Sequence, residues 1–106
     1  NKRAQEVSKI VGDRFHKLKA KCSAIGDIRS LGAMQAIEFV ENNDPSAPDS
    51  ETVALLTKAC LKRGLILLSA GTNKNVIRVL SPLVISDELL NKGLDILEEE
   101  LLKITN

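Results

Sequence analysis

Leu65-Ile66-Leu67-Leu68, the polar stretch Ser69-Ala70-Gly71-Thr72-Asn73-Lys74-Asn75, and Val76-Ile77-Arg78-Val79-Leu80 decide how this chain folds. Two short apolar runs bounded by turn residues read as strands, and the polar segment between them reads as the loop of a wide hairpin or crossover. Pro82 ends the second run, because a residue without an N–H cannot join a ladder. Arg78 breaks the apolar pattern. It is a permanent cation inside a run that otherwise reads as a buried strand. Burying an unpaired charge costs roughly several kcal/mol, so a carboxylate or phosphate is expected to meet this residue.

Working towards the N-terminus, Gly64 stands where a left-handed residue would close a helix. That helix carries Val53, Leu56 and Cys60 on one face and is capped by Asp49 or Ser50. Asn42 to Asp49, with Pro45 and Pro48, reads as a polar loop. Ile25 to Arg29 and Ala33 to Val40 are apolar-rich runs on either side of Ser30-Leu31-Gly32, expected as two strands or one bent strand with a glycine-dependent turn. From Lys2 to about Lys21, Ala4, Val7, Val11, Phe15 and Leu18 recur at spacings of three and four, which is one face of a helix. Towards the C-terminus, Ser86 caps a last helix. Asp87-Glu88 in its first turn suits the positive end of the dipole, and Leu90, Leu94, Leu97, Leu101 and Ile104 form its apolar stripe. The expected order is α-β-β-α-β-β-α. This is an α+β domain with a small antiparallel or mixed sheet of three to four strands and helices packed on it.

With 106 residues, 43% hydrophobic content and a formal net charge of +1, one compact domain with a modest core is expected over residues 1–106. No apolar run approaches the roughly 20 residues that span a bilayer, so no membrane partner is expected. The first residues lack the apolar core of a secretory signal. The chain begins at Asn1 rather than Met, as a fragment of something longer would.

Cys22 and Cys60 form no metal-like spacing and His16 has no neighbouring ligand types, so free buried thiols are expected, in a cytoplasmic protein without a metal. Charge is uneven: Lys2, Arg3, Lys9, Arg14, Lys17, Lys19 and Lys21 dominate the opening segment, and Asp87, Glu88, Asp95, Glu98, Glu99 and Glu100 the closing one. There is no Trp or Tyr and there are two Phe, so base-stacking platforms are missing and nucleic acid is not an expected partner. The expectation is instead that the basic and acidic helices lie side by side.

Two blocks carry more than their physics. Gly26-Asp27-Ile28-Arg29-Ser30-Leu31-Gly32-Ala33-Met34-Gln35-Ala36-Ile37-Glu38-Phe39 resembles the G-x-[VI]-R-G-L-G-x-M-x-[AG]-[IV]-E-[FL] hairpin of class III pyridoxal-phosphate-dependent aminotransferases. Arg63 to Gly71, followed by Asn75 to Ile85, resembles that family's second segment, most closely in its 4-aminobutyrate aminotransferase branch. The resemblance runs from the first helix to the last.

It implies that the chain is the C-terminal small domain of a larger enzyme. The large domain of the same parent chain would hold pyridoxal 5'-phosphate, its Schiff-base lysine and the groups around it. Neither Lys74 nor Lys92 sits in a cofactor-lysine motif, so the fragment alone is expected to be inactive. The parent would be a homodimer that moves an amino group from 4-aminobutyrate or a related ω-amino acid to 2-oxoglutarate. Arg78 matches the family arginine that grips the carboxylate of the amino-acid or 2-oxo-acid substrate. The residue type suits the task, because a guanidinium offers two parallel donors and stays charged.

Arg29 is expected to anchor the small domain to the large one. Gly71 and Thr72, in the loop before the arginine strand, are expected to form only a turn, with an approach to the active site as the alternative, and Ser30, where the family has glycine, is expected to mark a different or strained turn. Exposed apolar surface around the Arg78 strand or the first hairpin is expected to promote self-association. The alternative to the enzyme is a stand-alone α+β module that binds a small ligand or a protein.

Overall fold

The computed structural model describes residues 2–31, 34–80 and 85–105. Helix α1 (Lys2–Ala20) buries Val7, Val11, Phe15 and Leu18, the stripe expected from their spacing. Strands β1 (Ile25–Leu31), β2 (Met34–Glu41) and β3 (Asp44–Pro48) follow. Next come α2 (Ser50–Lys62), β4 (Leu68–Ala70), β5 (Val76–Leu80) and α3 (Asp87–Thr105). The five strands pair antiparallel throughout, in the order β1-β2-β5-β4, with β3 attached to β2. Helices α1 and α2 lie on the sheet and α3 packs against both. Their leucines and valines meet Ile25, Ile37, Phe39 and Ile77 in a single core.

The α+β class is as expected, but the sheet has five strands instead of three or four. The extra one is β3, which occupies the segment expected to be a loop. Asn42 and Asn43 adopt positive φ of 49° and 62°, the two-residue turn that matches the twist of a hairpin. Pro45 and Pro48 are tolerated because β3 pairs with β2 alone, and only at Val40–Pro48 and Glu41–Asp44.

The run Leu65–Leu68 also differs from expectation, since only Leu68 joins a strand. Gly64 closes α2 at φ 85°, and the Leu65 amide donates to the Cys60 carbonyl at 2.9 Å. Residues 65–67 are therefore spent leaving the helix. Ser30 lies inside β1 without positive φ. Its hydroxyl donates to Gln35 Oε1 at 2.6 Å, and Gln35 Nε2 donates to the Ser8 hydroxyl at 2.9 Å. The serine thus belongs to a polar link between sheet and α1 that runs through the buried Gln35, and it carries no turn strain. The Gly32 turn and the Pro82 stop lie outside the described residues.

Asp49 caps α2 by accepting from the Thr52 amide at 2.9 Å, and Ser86 Oγ accepts from the Leu89 amide at 3.1 Å. The basic α1 does lie against the acidic α3: Arg3 pairs with Asp87, Arg14 with Asp95 and Glu98, and Lys21 with Glu98. The Lys21 ammonium, helped by Arg14, holds the Glu98 carboxyl below its usual range. A depressed carboxylate stabilises the fold above its ordinary titration range, and that contribution disappears as pH falls through and below it. Glu98→Gln should therefore cost about 0.5–1 kcal/mol at neutral pH. In urea melts followed by circular dichroism, the gap to the native sequence should narrow as pH falls below the ordinary carboxylate range. A gap that persists there would assign the loss to packing.

Both cysteines are buried and free. Burial pushes the Cys60 thiol up to about 11, so it stays an unreactive core group at neutral pH.

Candidate substrate-carboxylate site

β5 is an interior strand, held by β2 on one side and β4 on the other, so its backbone is fixed from both edges. Side chains alternate along it. Ile77 is fully buried in the core beneath the helices, and Arg78 points to the opposite face, where it is exposed. The residue read as a buried cation is therefore a surface one, raised from the middle of a rigid sheet. Directly across from it are Ala36 on β2 and Leu68 on β4. Arg29 stands opposite Ala36 from the far side, so Arg29, Ala36, Arg78 and Leu68 form one row across the open face.

The two arginines differ in their electrostatics. Arg29 is held by Glu38 at 3.4 Å and Asp27 at 3.7 Å within its own hairpin. The Arg78 side chain enters none of the ion pairs or side-chain hydrogen bonds formed among the described residues. An exposed guanidinium on a stiff strand, with its donors uncommitted, is ready to bind an external carboxylate through two parallel N–H···O bonds. Its surroundings strengthen that interaction. Arg78 borders a groove of about 590 Å³ between β4–β5 and α3, walled by Leu68, Val79, Ile85 and Leu89. Apolar walls lower the local dielectric and make a charge pair count for more than in open water.

Gly71 and Thr72 lie in the exposed loop between β4 and β5, outside the lining of that groove. The loop is closed by Lys74 at φ 53°, whose amide donates to the Gly71 carbonyl at 3.1 Å. Lys74 and Lys92 are both exposed, Lys92 at the groove rim. No cluster of metal-ligating side chains occurs among the described residues, and no helix among them is long and apolar enough to cross a membrane.

Asn75 is the residue that sequence reasoning passed over. It is buried, and its Nδ2 donates to the Phe39 carbonyl at 3.0 Å. The signals available were an amide side chain immediately before an apolar strand and its place at the head of the second block that resembles the family.

Residues 1–101 match the class-III aminotransferase family. The chain belongs to that family. Among the relatives of this aminotransferase-family chain is a probable 4-aminobutyrate aminotransferase of Bacillus subtilis, 50% identical over 92% of the chain and 22% of the relative. A 5-aminovalerate aminotransferase of Pseudomonas aeruginosa is 46% identical over 89% of the chain and 23% of the relative. Among solved structures, the acetylornithine aminotransferase of Elizabethkingia anophelis superposes with a TM-score of 0.77 at 32% identity, covering 95% of this chain and 24% of that one. The family chain thus spans about a fifth to a quarter of the length of these relatives.

Proposed function

We propose that this chain is the C-terminal small domain of a pyridoxal-phosphate-dependent aminotransferase, and that Arg78 binds the carboxylate of its amino-acid and 2-oxo-acid substrates. The amino donor is 4-aminobutyrate or a close ω-amino acid, and the acceptor is 2-oxoglutarate. The observation that carries this reading is the uncommitted Arg78 guanidinium, exposed on an interior strand beside an apolar groove. The kinship to 4-aminobutyrate and 5-aminovalerate aminotransferases supports the donor class. Both of those donors carry an amine at one end and a carboxylate at the other. A planar two-pronged donor fixes the acid end in angle as well as distance, and the reacting end inherits that orientation.

The described residues do not fit the cofactor on their own. A lysine that forms a Schiff base needs a setting that lowers its pKa, and Lys74 and Lys92 are both solvent-exposed. Pyridoxal phosphate is accordingly assigned to the rest of the parent chain, where it would supply the electron sink for amino transfer. This chain contributes the grip on the acid end and one wall of the site, and by itself does not transaminate.

The donor preference is testable in the full-length parent protein with 2-oxoglutarate as acceptor. kcat/KM for 4-aminobutyrate and 5-aminovalerate should exceed that for the matching alkyl amines without a carboxylate by about a hundredfold or more, the worth of a paired carboxylate. Equal rates for the acid and its amine counterpart would remove the carboxylate from recognition.

A further inference from the structure

The geometry points to Asn75 as the positioning residue of Arg78, acting through the register of β5; this rests on the carboxylate-binding reading above. Three hydrogen bonds converge on the backbone of Phe39 at the end of β2 where β5 begins. The Phe39 amide donates to the Asn75 carbonyl at 2.7 Å, Asn75 Nδ2 donates back to the Phe39 carbonyl at 3.0 Å, and the Asp49 amide donates to that same carbonyl at 3.0 Å. Asn75 thus grips one residue of β2 with both its main chain and its side chain, in a buried position.

Immediately after this clamp the ladder runs Val76 opposite Glu38, Ile77 opposite Ile37 and Arg78 opposite Ala36. Strand side chains alternate with a period of two. A slip of one residue would therefore turn Arg78 into the core and Ile77 out to solvent, and a smaller shift would re-aim the guanidinium. The preceding loop gives no other side-chain anchor to β2 among the described residues: its remaining bond is the local turn from the Lys74 amide to the Gly71 carbonyl. Removing the Asn75 side chain leaves the Phe39 carbonyl still satisfied by the Asp49 amide. The sheet then persists while the start of β5 gains freedom.

The experiment uses the full-length parent protein and single-turnover kinetics with two amino donors of equal chain length, one bearing a terminal carboxylate and one lacking it. Asn75→Ala should raise the concentration for half-maximal rate about tenfold for the carboxylate donor, leave its limiting rate within about twofold, and leave the other donor unchanged. Asn75→Ser, which keeps a short polar group, should fall between Ala and the native residue and serves as the measurement if Ala does not fold. Arg78→Lys is run beside them. If Arg78→Lys discriminates between the donors and the Asn75 variants slow both equally or neither, the positioning role is overturned while the carboxylate reading stands. If Arg78→Lys shows no discrimination, both fall together.

Discussion

Replacing Arg78 with alanine in the full-length parent protein is expected to lower kcat/KM for carboxylate-bearing donors by about 10²–10³, with no more than about 0.5 kcal/mol of stability lost. The magnitude follows from the bonds at stake. Hydrogen bonds to charged groups contribute about 1.5–3 kcal/mol each, and losing a bidentate pair at the edge of an apolar groove removes roughly 3–4 kcal/mol. At about 1.4 kcal/mol per decade this is the stated fall in rate. Stability is spared because Arg78 is exposed and bound to no group among the described residues, so its removal leaves no orphaned partner. Lysine at the same place keeps charge but loses the fork, and a loss of about tenfold or more is expected from geometry alone. Thermal melts alongside steady-state rates separate the two quantities. Native kinetics from the alanine variant would sink the assignment of this side chain to the site.

Phe39→Ala is expected to have the largest effect on the fold itself, about 3–5 kcal/mol. Phe39 is fully buried in β2, the strand that pairs with β1, β3 and β5. Its ring fills the space between the sheet and the helices together with Phe15 and Leu56 in the same core. Domains of this size have about 5–15 kcal/mol in total, so the truncation removes a large share. Chemical denaturation should show a lower midpoint at an unchanged slope, the mark of a packing loss in an otherwise native state. Phe39→Leu, which keeps most of the volume, should recover more than half of the loss. A midpoint unmoved by Phe39→Ala would mean that this ring does not hold the sheet to the helices.

The helices were readable because each has a single buried stripe and a definite end. Val7, Val11, Phe15 and Leu18 recur with helical spacing, Asp49 and Ser86 cap, and Gly64 closes. The strands were harder for identifiable reasons. β3 rests on two adjacent asparagines in left-handed geometry and contains two prolines, a composition that reads as loop. Leu65 to Leu67 has the composition of a strand, yet the Leu65 amide is occupied by the end of α2. Short apolar runs cannot distinguish these cases by composition.

The motif singles out Arg78, the residue proposed to grip the carboxylate, but its exposure was not legible. Val76, Ile77, Val79 and Leu80 around it give a continuous apolar run, and such runs normally signal a strand covered on both faces. Here the helices cover one face, and the alternation of β5 delivers Arg78 to the other. The Asn75 clamp was invisible for another reason. It joins residues 36 positions apart, and neither local propensity nor periodicity reports on such a contact.

The seat of β5 between β2 and β4 also constrains the order in which the molecule can assemble. β1 and β2, and then β2 and β3, are neighbours along the chain and can zip from their own turns. β5 must cross back from beyond α2 and find an edge already formed, at the entropic cost of closing a loop of about forty residues. The strand that carries Arg78 is therefore expected to dock late in folding. On the function proposed for Arg78, a nascent or partly melted chain would carry the arginine without yet carrying the receptor for an acid.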